Sequence, residues 1–249
     1  MPLKAIRSVL LCLGLVMTFC APALAEMVML DVSNPPFMYG AEGKAMGVYP
    51  AILAEAFKKM GVPLEMDAVP WKRAIAAIDE GKAGVGGIYK NEERLQKYDY
   101  SDKLFDEVIV VYVRKGAEFE FTGVPSLLGK KVGVLRGWSY GDDFDAAAKA
   151  GKITTDEAEG DGQNFAKLAA GRVDAVLAVR ESGDINLATP DIAKAVVALP
   201  TPLSNSPSFL AFNKSAGKAE VLAKFNAALA QMKADGSMDK LVKASLSAK

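Results

Sequence analysis

Residues Gly81 to Arg94 read Gly-Lys-Ala-Gly-Val-Gly-Gly-Ile-Tyr-Lys-Asn-Glu-Glu-Arg. Lys82 to Tyr89 has the apolar, glycine-rich character of a short buried strand, and Gly81 reads as the end of the helix before it. Gly84, Gly86 and Gly87 strip side chains from one segment, which in a strand marks the close approach of a ligand or of another part of the chain. A polar turn, Lys90 to Glu93, comes next, and then Arg94. Small ligands of open α/β sheets sit outside the carboxyl ends of the strands, so Arg94 stands where a guanidinium could hold a carboxylate. Two readings are open at this point: a ligand-binding arginine beside a cleft, or tight helix-on-sheet packing with a surface ion pair.

Working outward, the chain alternates strands and helices. Val28 to Val32 reads as a strand, Ser33 to Phe37 as a proline-stiffened loop presenting Phe37, and Ile52, Leu53, Ala56, Phe57 and Met60 as one face of a helix closed by Gly61 and Pro63. Leu64 to Val69 reads as a strand, and Pro70 opens a helix with Trp71 in its first turn. The pattern breaks between Gly116 and Pro125 and restarts: strand Lys131 to Leu135, turn Gly137 to Gly141, helix Asp142 to Ala150, strand Ile153 to Ala158. A helix through Phe165 and Leu168 then ends at Gly171, with strand Val173 to Val179 behind it. The unit helix, glycine, base, strand thus occurs twice, as Gly81-Lys82 and as Gly171-Arg172. Alternation implies mainly parallel sheets with covered faces, and the repeat implies two similar α/β lobes. A connection rich in proline, Pro200 to Pro207, leads to a last strand, Ser208 to Phe212, and to helices from about Lys218 with Ser237 as a cap. The cluster Asp142, Asp143, Asp145 reads as acids complementing a helix N-terminus, and no metal site is expected.

The N-terminus reads differently. Lys4 and Arg7 precede an apolar run, Val9 to Phe19, and then Ala23-Leu24-Ala25. Base, short apolar segment and A-x-A site predict a secretory signal over residues 1–25, cleaved to leave Glu26 first. Met17-Thr18-Phe19 before Cys20 lacks the small residues of a lipidation site, so a soluble exported product is expected. Cys12 and Cys20 leave with the signal, and the 249 residues contain no histidine. Disulfides, cysteine catalysis and imidazole chemistry are therefore excluded from the mature chain. Lys4 and Arg7 leave too, so 28 of the 30 basic residues face 30 acidic ones, a net charge of −2 that points to neither nucleic acid nor a membrane surface.

Several segments carry a resemblance. The early Pro35-Pro36-Phe37, the run from Glu92-Glu93-Arg94 into YDYSDKLF (98–105), KKVGVLRGWSY (130–140), GRVDAV (171–176) and DGSMDKLV (235–242) resemble, in order and spacing, the bacterial periplasmic solute-binding proteins of the polar amino-acid ABC transporter family. The resemblance covers the mature chain. It implies a type 2 periplasmic-binding fold with lobe one over 26–106 and 205–249, lobe two over 107–204, and two crossovers near Leu104 to Val110 and Pro202 to Ser208. It implies a non-catalytic monomer without cofactor that captures a small carboxylate-bearing solute and docks on a membrane permease. A sensor or chemoreceptor module is the alternative, and a dehydratase-like enzyme the more distant one, since no carboxylate or lysine pair stands out for catalysis.

By the same resemblance Arg94 takes the ligand's carboxylate, a task suited to its planar fork. Phe37, Trp71, Gly87, Tyr89 and Asn91 would line the lobe-one side; Trp138, Ser139, Tyr140 and Val179 would line the lobe-two side. Tyr89 stands where the family places serine or threonine. Gly84 departs from a common aspartate, whereas Asp174 keeps it, and both read as structural. Val179 occupies the position of the aspartate that pairs with the α-ammonium of amino-acid ligands. A valine accepts no hydrogen bond, so the expected solute keeps a carboxylate and lacks a standard α-amino group, unless Glu181 or an aromatic face of Trp138 or Tyr140 replaces the aspartate.

Overall fold

The computed structural model describes residues 25–247, so the expected signal lies, but for its last residue, outside the described residues. The chain runs β1 (Glu26–Asp31), β2 (Ser33–Asn34), β3 (Met38–Ala41), β4 (Lys44–Met46), α1 (Val48–Met60), β5 (Leu64–Val69), α2 (Trp71–Asp79), β6 (Gly84–Tyr89), α3 (Glu92–Lys97) and β7 (Tyr98–Tyr100). It continues β8 (Phe105–Arg114), β9 (Lys131–Leu135), α4 (Asp142–Lys149), β10 (Thr154–Ala158), α5 (Asp161–Ala169), β11 (Ala175–Val179), α6 (Arg180–Leu187), α7 (Pro190–Ala195), β12 (Val196–Ala198), β13 (Ser204–Asn213), α8 (Ala219–Ala234) and α9 (Ser237–Ser247).

The fold is a two-lobed α/β architecture. Three parallel strands, β5-β1-β6, form one group and three more, β10-β9-β11, the other. Two ten-residue strands join them, running antiparallel to each other and to their neighbours. The amino-terminal halves of β8 and β13 pair with one another, Phe105 to Ile109 against Ser208 to Ser204. Their far halves diverge: Leu210 and Ala211 pair with β6, whereas Ile109 to Val113 pair with β11. Register then fixes where the parallel strands end. Tyr89, the last residue of β6, lies opposite Ser208; Val179, the last of β11, lies opposite Ile109. The carboxyl ends of both groups therefore converge on the crossing pair, where α/β sheets bind ligands.

Packing explains the glycines of the opening stretch. A Cβ on Gly84 would meet the Phe212 ring at 2.6 Å, and one on Gly86 would meet Leu53 Cδ1 at 2.8 Å. Gly87 has φ +77° and is the residue left over where the β6–β13 register shifts, a bulge that re-aims the strand end toward the cleft. The structural reading thus holds for Gly84 and Gly86: β6 is buried throughout, under α1 on one side. Glu107 belongs to the same core. It is fully buried on β8, and the hydroxyls of Tyr49 and Tyr89 donate to its two oxygens. Burial holds its carboxyl well above the usual carboxylate range.

Some local expectations need correction. The last strand begins at Ser204 and includes Pro207; there β13 is paired on one side only, where a strand tolerates proline. The hairpin β3–β4 and the segment α6–α7–β12 carried no clear pattern in the sequence. Ser237 opens α9, and its N–H is bonded by the Asp235 side chain, which takes the capping role. As expected, Asp142, Asp143 and Asp145 form the first turn of α4. No group of three or more potential metal ligands is found among the described residues.

Candidate functional site

Where the strand ends meet, a narrow, tightly closed pocket is lined by Trp71, Gly87, Tyr89, Arg94, Trp138 and Ser139. Arg94 reaches it from the first turn of α3. Asn91 caps that helix, its side-chain oxygen accepting from the Arg94 N–H at 2.8 Å. The Arg94 side chain is buried, and its Nη1 donates to the Tyr89 carbonyl at 3.1 Å. No carboxylate forms an ion pair with it among the described residues, and burial pulls its pKa down from the ordinary arginine value. A buried guanidinium with one neutral partner keeps donors to spare. Trp71 adds another: its indole N–H is buried and unpartnered. Tyr89 packs edge-on against Trp138, centroids 5.7 Å apart, and turns its hydroxyl away to Glu107.

The lobe-two side closes over this floor. Trp138 lies 6.0 Å from Trp71 between ring centroids, and its Nε1 donates to Asp31 Oδ2 at 2.7 Å. Asn91 Nδ2 donates to Ser139 Oγ at 3.1 Å. The Ser182 hydroxyl lies 2.6 Å from the Pro35 carbonyl oxygen and 3.0 Å from Asn34 Oδ1, and Ser33 Oγ donates to the Glu159 carbonyl. An exposed pair, Lys72–Glu157 at 3.7 Å, also bridges the sides and contributes little.

Seven of the ten residues singled out in the sequence meet here: the six lining residues and Asn91. Three do not. Phe37 is fully buried in the core, its ring stacked 5.6 Å from Tyr49 and 5.3 Å from Phe105, because the proline loop turns it inward. Tyr140 lies behind Trp138 against Phe144, its hydroxyl accepting from the Leu135 N–H at 2.8 Å. Val179 is buried at the end of β11, paired with Ile109. Asp174 accepts from the Lys131 N–H, a structural role.

Four acids near the strand ends, none of them lining the pocket, lay unremarked or half-remarked in the sequence: Asp31, Glu107, Asp161 and Glu181. Asp31 ends β1, Asp161 follows β10 and Glu181 follows β11, all at carboxyl ends of parallel strands, a position that would have picked them out. Burial raises Asp31, with the Trp138 and Ser33 hydrogen bonds opposing. Burial pushes Asp161 up to about 7, with Asp31 adding to the effect.

Two α/β lobes with two crossing strands and a cleft at the strand ends define the periplasmic binding protein fold. The chain belongs to the bacterial extracellular solute-binding proteins, family 3, whose pattern matches residues 27–247. It is 28% identical over 222 residues to the L-cystine-binding protein TcyJ of Escherichia coli K12, covering 86% of this chain and 80% of that one. An ancestral arginine-binding protein bound to glutamine superimposes with a TM-score of 0.72 at 30% identity, covering 87% of this chain and 95% of the other. A histidine kinase sensor domain shares the fold, with a TM-score of 0.79 at 20% identity over 91% of this chain and 97% of that one. Membership makes this a solute-binding protein of an extracellular, amino-acid-transport family. No described helix is long and apolar enough to cross a membrane.

Proposed function

We propose that the protein captures a small carboxylate-bearing solute between its lobes and presents the closed form to a membrane ABC permease in the periplasm, as a monomer exported by the leader that ends at Ala25. Lobe one is 26–106 with 205–249, lobe two is 107–204, and the hinge is the paired segment Phe105–Ile109 with Ser204–Ser208. Arg94 clamps the carboxylate, Trp71 Nε1 supplies a neutral hydrogen bond, and Trp138 lays its ring over the ligand. The observation that carries this reading is Arg94: a buried cation lining the pocket with a single carbonyl partner. A buried charge left so is costly, and a bidentate carboxylate offsets that cost.

A thermal-shift panel tests it, comparing L-amino acids, non-amino organic acids and aromatic acids with their methyl esters. Free acids should raise Tm with concentration and their esters should not. Scattering should show a smaller radius of gyration in the presence of an acid that stabilises. Equal stabilisation by acid and ester would overturn the role of Arg94, and an unchanged radius would overturn the hinge.

A further inference from the structure

The lobe boundary holds a buried acid that the clamp does not use. Asp161 is 5% exposed, and neither of its carboxylate oxygens has a hydrogen-bond partner. It stands at the lobe boundary, because its neighbour Glu159 takes the Ser33 hydroxyl and a Cβ on Gly160 would lie 3.7 Å from Ser33 Cβ. It bears electrostatically on Tyr89 and on Tyr140, and Asp31 is the charge that bears on it. Glu181, which also bears on Tyr89, has a buried Oε2 without a partner. The amide groups nearby are unspent as well: Asn164, fully buried one turn along α5 from Asp161, has neither amide atom bonded, and Asn34 Nδ2 is free. Buried polar groups in folded proteins are nearly all paired, and an orphaned carboxylate at a lobe boundary marks a place for a ligand's own groups.

We propose that Asp161 forms a second recognition point, on the other lobe from Arg94, that receives a cationic nitrogen of the ligand. Sheet order says where that nitrogen lies. Val179 ends β11 and Asp161 follows β10, with β9 between them. Two strand spacings put those backbone ends about 10 Å apart. A nitrogen held at Asp161 is thus displaced by several bonds from the α-ammonium position that the resemblance puts at the end of β11. The ligand class is an acid whose amine sits at the far end of a short chain, an ω-amino or ω-amidino acid. This rests on the carboxylate clamp of Arg94, and it reconciles a buried acid at the lobe boundary with a valine at the α-ammonium position.

Calorimetry on the purified protein tests it with three probes of matched size: 5-aminopentanoate, hexanoate and L-norvaline. The ω-amino acid should bind at least ~30-fold tighter than hexanoate, the scale for pairing a buried charge, and tighter than norvaline. Asp161→Asn should bring 5-aminopentanoate to within ~3-fold of hexanoate, and circular dichroism should show that variant folded. If hexanoate binds as tightly as 5-aminopentanoate and both need Arg94, the second point is overturned and the clamp stands. If 5-aminopentanoate binding needs Asp161 but survives Arg94→Ala, the clamp is overturned instead. If norvaline binds tightest, the displaced position is wrong. If none of the three binds, with 3-aminopropanoate and 6-aminohexanoate also silent, both ideas fall.

Discussion

The two copies of the helix-glycine-strand unit can be laid side by side. In lobe one, α2 gives way to Gly81 at φ +69°, whose N–H bonds the Ile78 carbonyl while Lys82 N–H bonds that of Ala77. In lobe two, α5 gives way to Gly171 at φ +71°, whose N–H bonds the Leu168 carbonyl while Arg172 N–H bonds that of Lys167. Cap, base and strand repeat nearly atom for atom. Beyond the strand ends the two copies part. After β6 the chain caps a helix with Asn91 and buries a cation, Arg94; after β11 it enters α6 directly and buries an acid oxygen of Glu181. The scaffold is duplicated, and each copy's chemistry is set by a handful of residues beyond its strand end, of opposite charge in the two lobes.

Removing the cation should break this opposition most visibly. Arg94→Ala is expected to weaken binding of carboxylate ligands by about 2–5 kcal/mol, read by calorimetry. The fold should survive, because the arginine has one backbone hydrogen bond to lose and its departure also relieves the desolvation of a buried charge. Unchanged affinity would reduce the lobe-one end to scaffold.

Removing the acid on the other side should act on stability. The Asp161 carboxyl is pushed up to about 7 by burial and then by Asp31, whereas in the unfolded chain it titrates near 3.8. The groups in electrostatic reach are Asp31, Tyr89, Tyr112 and Tyr140, with no cation among them. Below pH 3.8 both states hold the proton. Between there and about 7 the unfolded chain has released it and the folded one has not, so stability falls as pH rises through this window. Asp161→Asn should flatten that slope and leave the variant about 2–4 kcal/mol more stable than the parent at a pH of about 8, measured by urea unfolding across pH. An unaltered slope would show that Asp161 is solvated in the folded protein. Such a gain in stability at the expense of binding is the trade expected of a ligand site.

Much of this comparison could be read from the sequence, and its limits have physical causes. The repeated glycine-base pair showed two lobes because a helix end in the left-handed region leaves a local signature at Gly81 and Gly171. The place of Arg94 beyond the end of β6 was legible because a polar turn follows the strand there. Phe37 and Tyr140 were misplaced because an aromatic side chain reads the same whether it faces a pocket or a core. Their direction is set by partners far along the chain or in the backbone, Phe105 for one and the Leu135 amide for the other. Asp161 was passed over, and Glu181 met only as a substitute for the missing aspartate, because burial, which makes an acid consequential, is set by tertiary packing and leaves no trace in neighbouring residues. Glu107, inside an apolar strand, depends likewise on Tyr49 and Tyr89 for its place.

Substitution of the glycines sharpens the comparison at a finer scale. Gly87→Ala would place a Cβ 2.7 Å from the Tyr49 ring, which is fully buried and tied to Glu107, and would strain a φ of +77°. About 2–3 kcal/mol of destabilisation, read by urea unfolding, is expected from overpacking and left-handed strain together.

The cap glycines isolate the second of those effects. A Cβ on Gly81 would meet only Ser215 Oγ at 3.7 Å, and one on Gly171 would meet the guanidinium end of Arg114 at 3.0 Å, the movable tip of a long side chain. Both sit in the same left-handed conformation, so alanine at either should cost about 1 kcal/mol, the backbone effect alone. Chemical denaturation of the two single variants and the double measures this, and the two costs should be equal and additive, because the sites lie in different lobes. A Gly171→Ala cost well above that of Gly81→Ala would mean that Arg114 is held in place, and that the duplicated scaffold is less alike in lobe two than its hydrogen bonds make it.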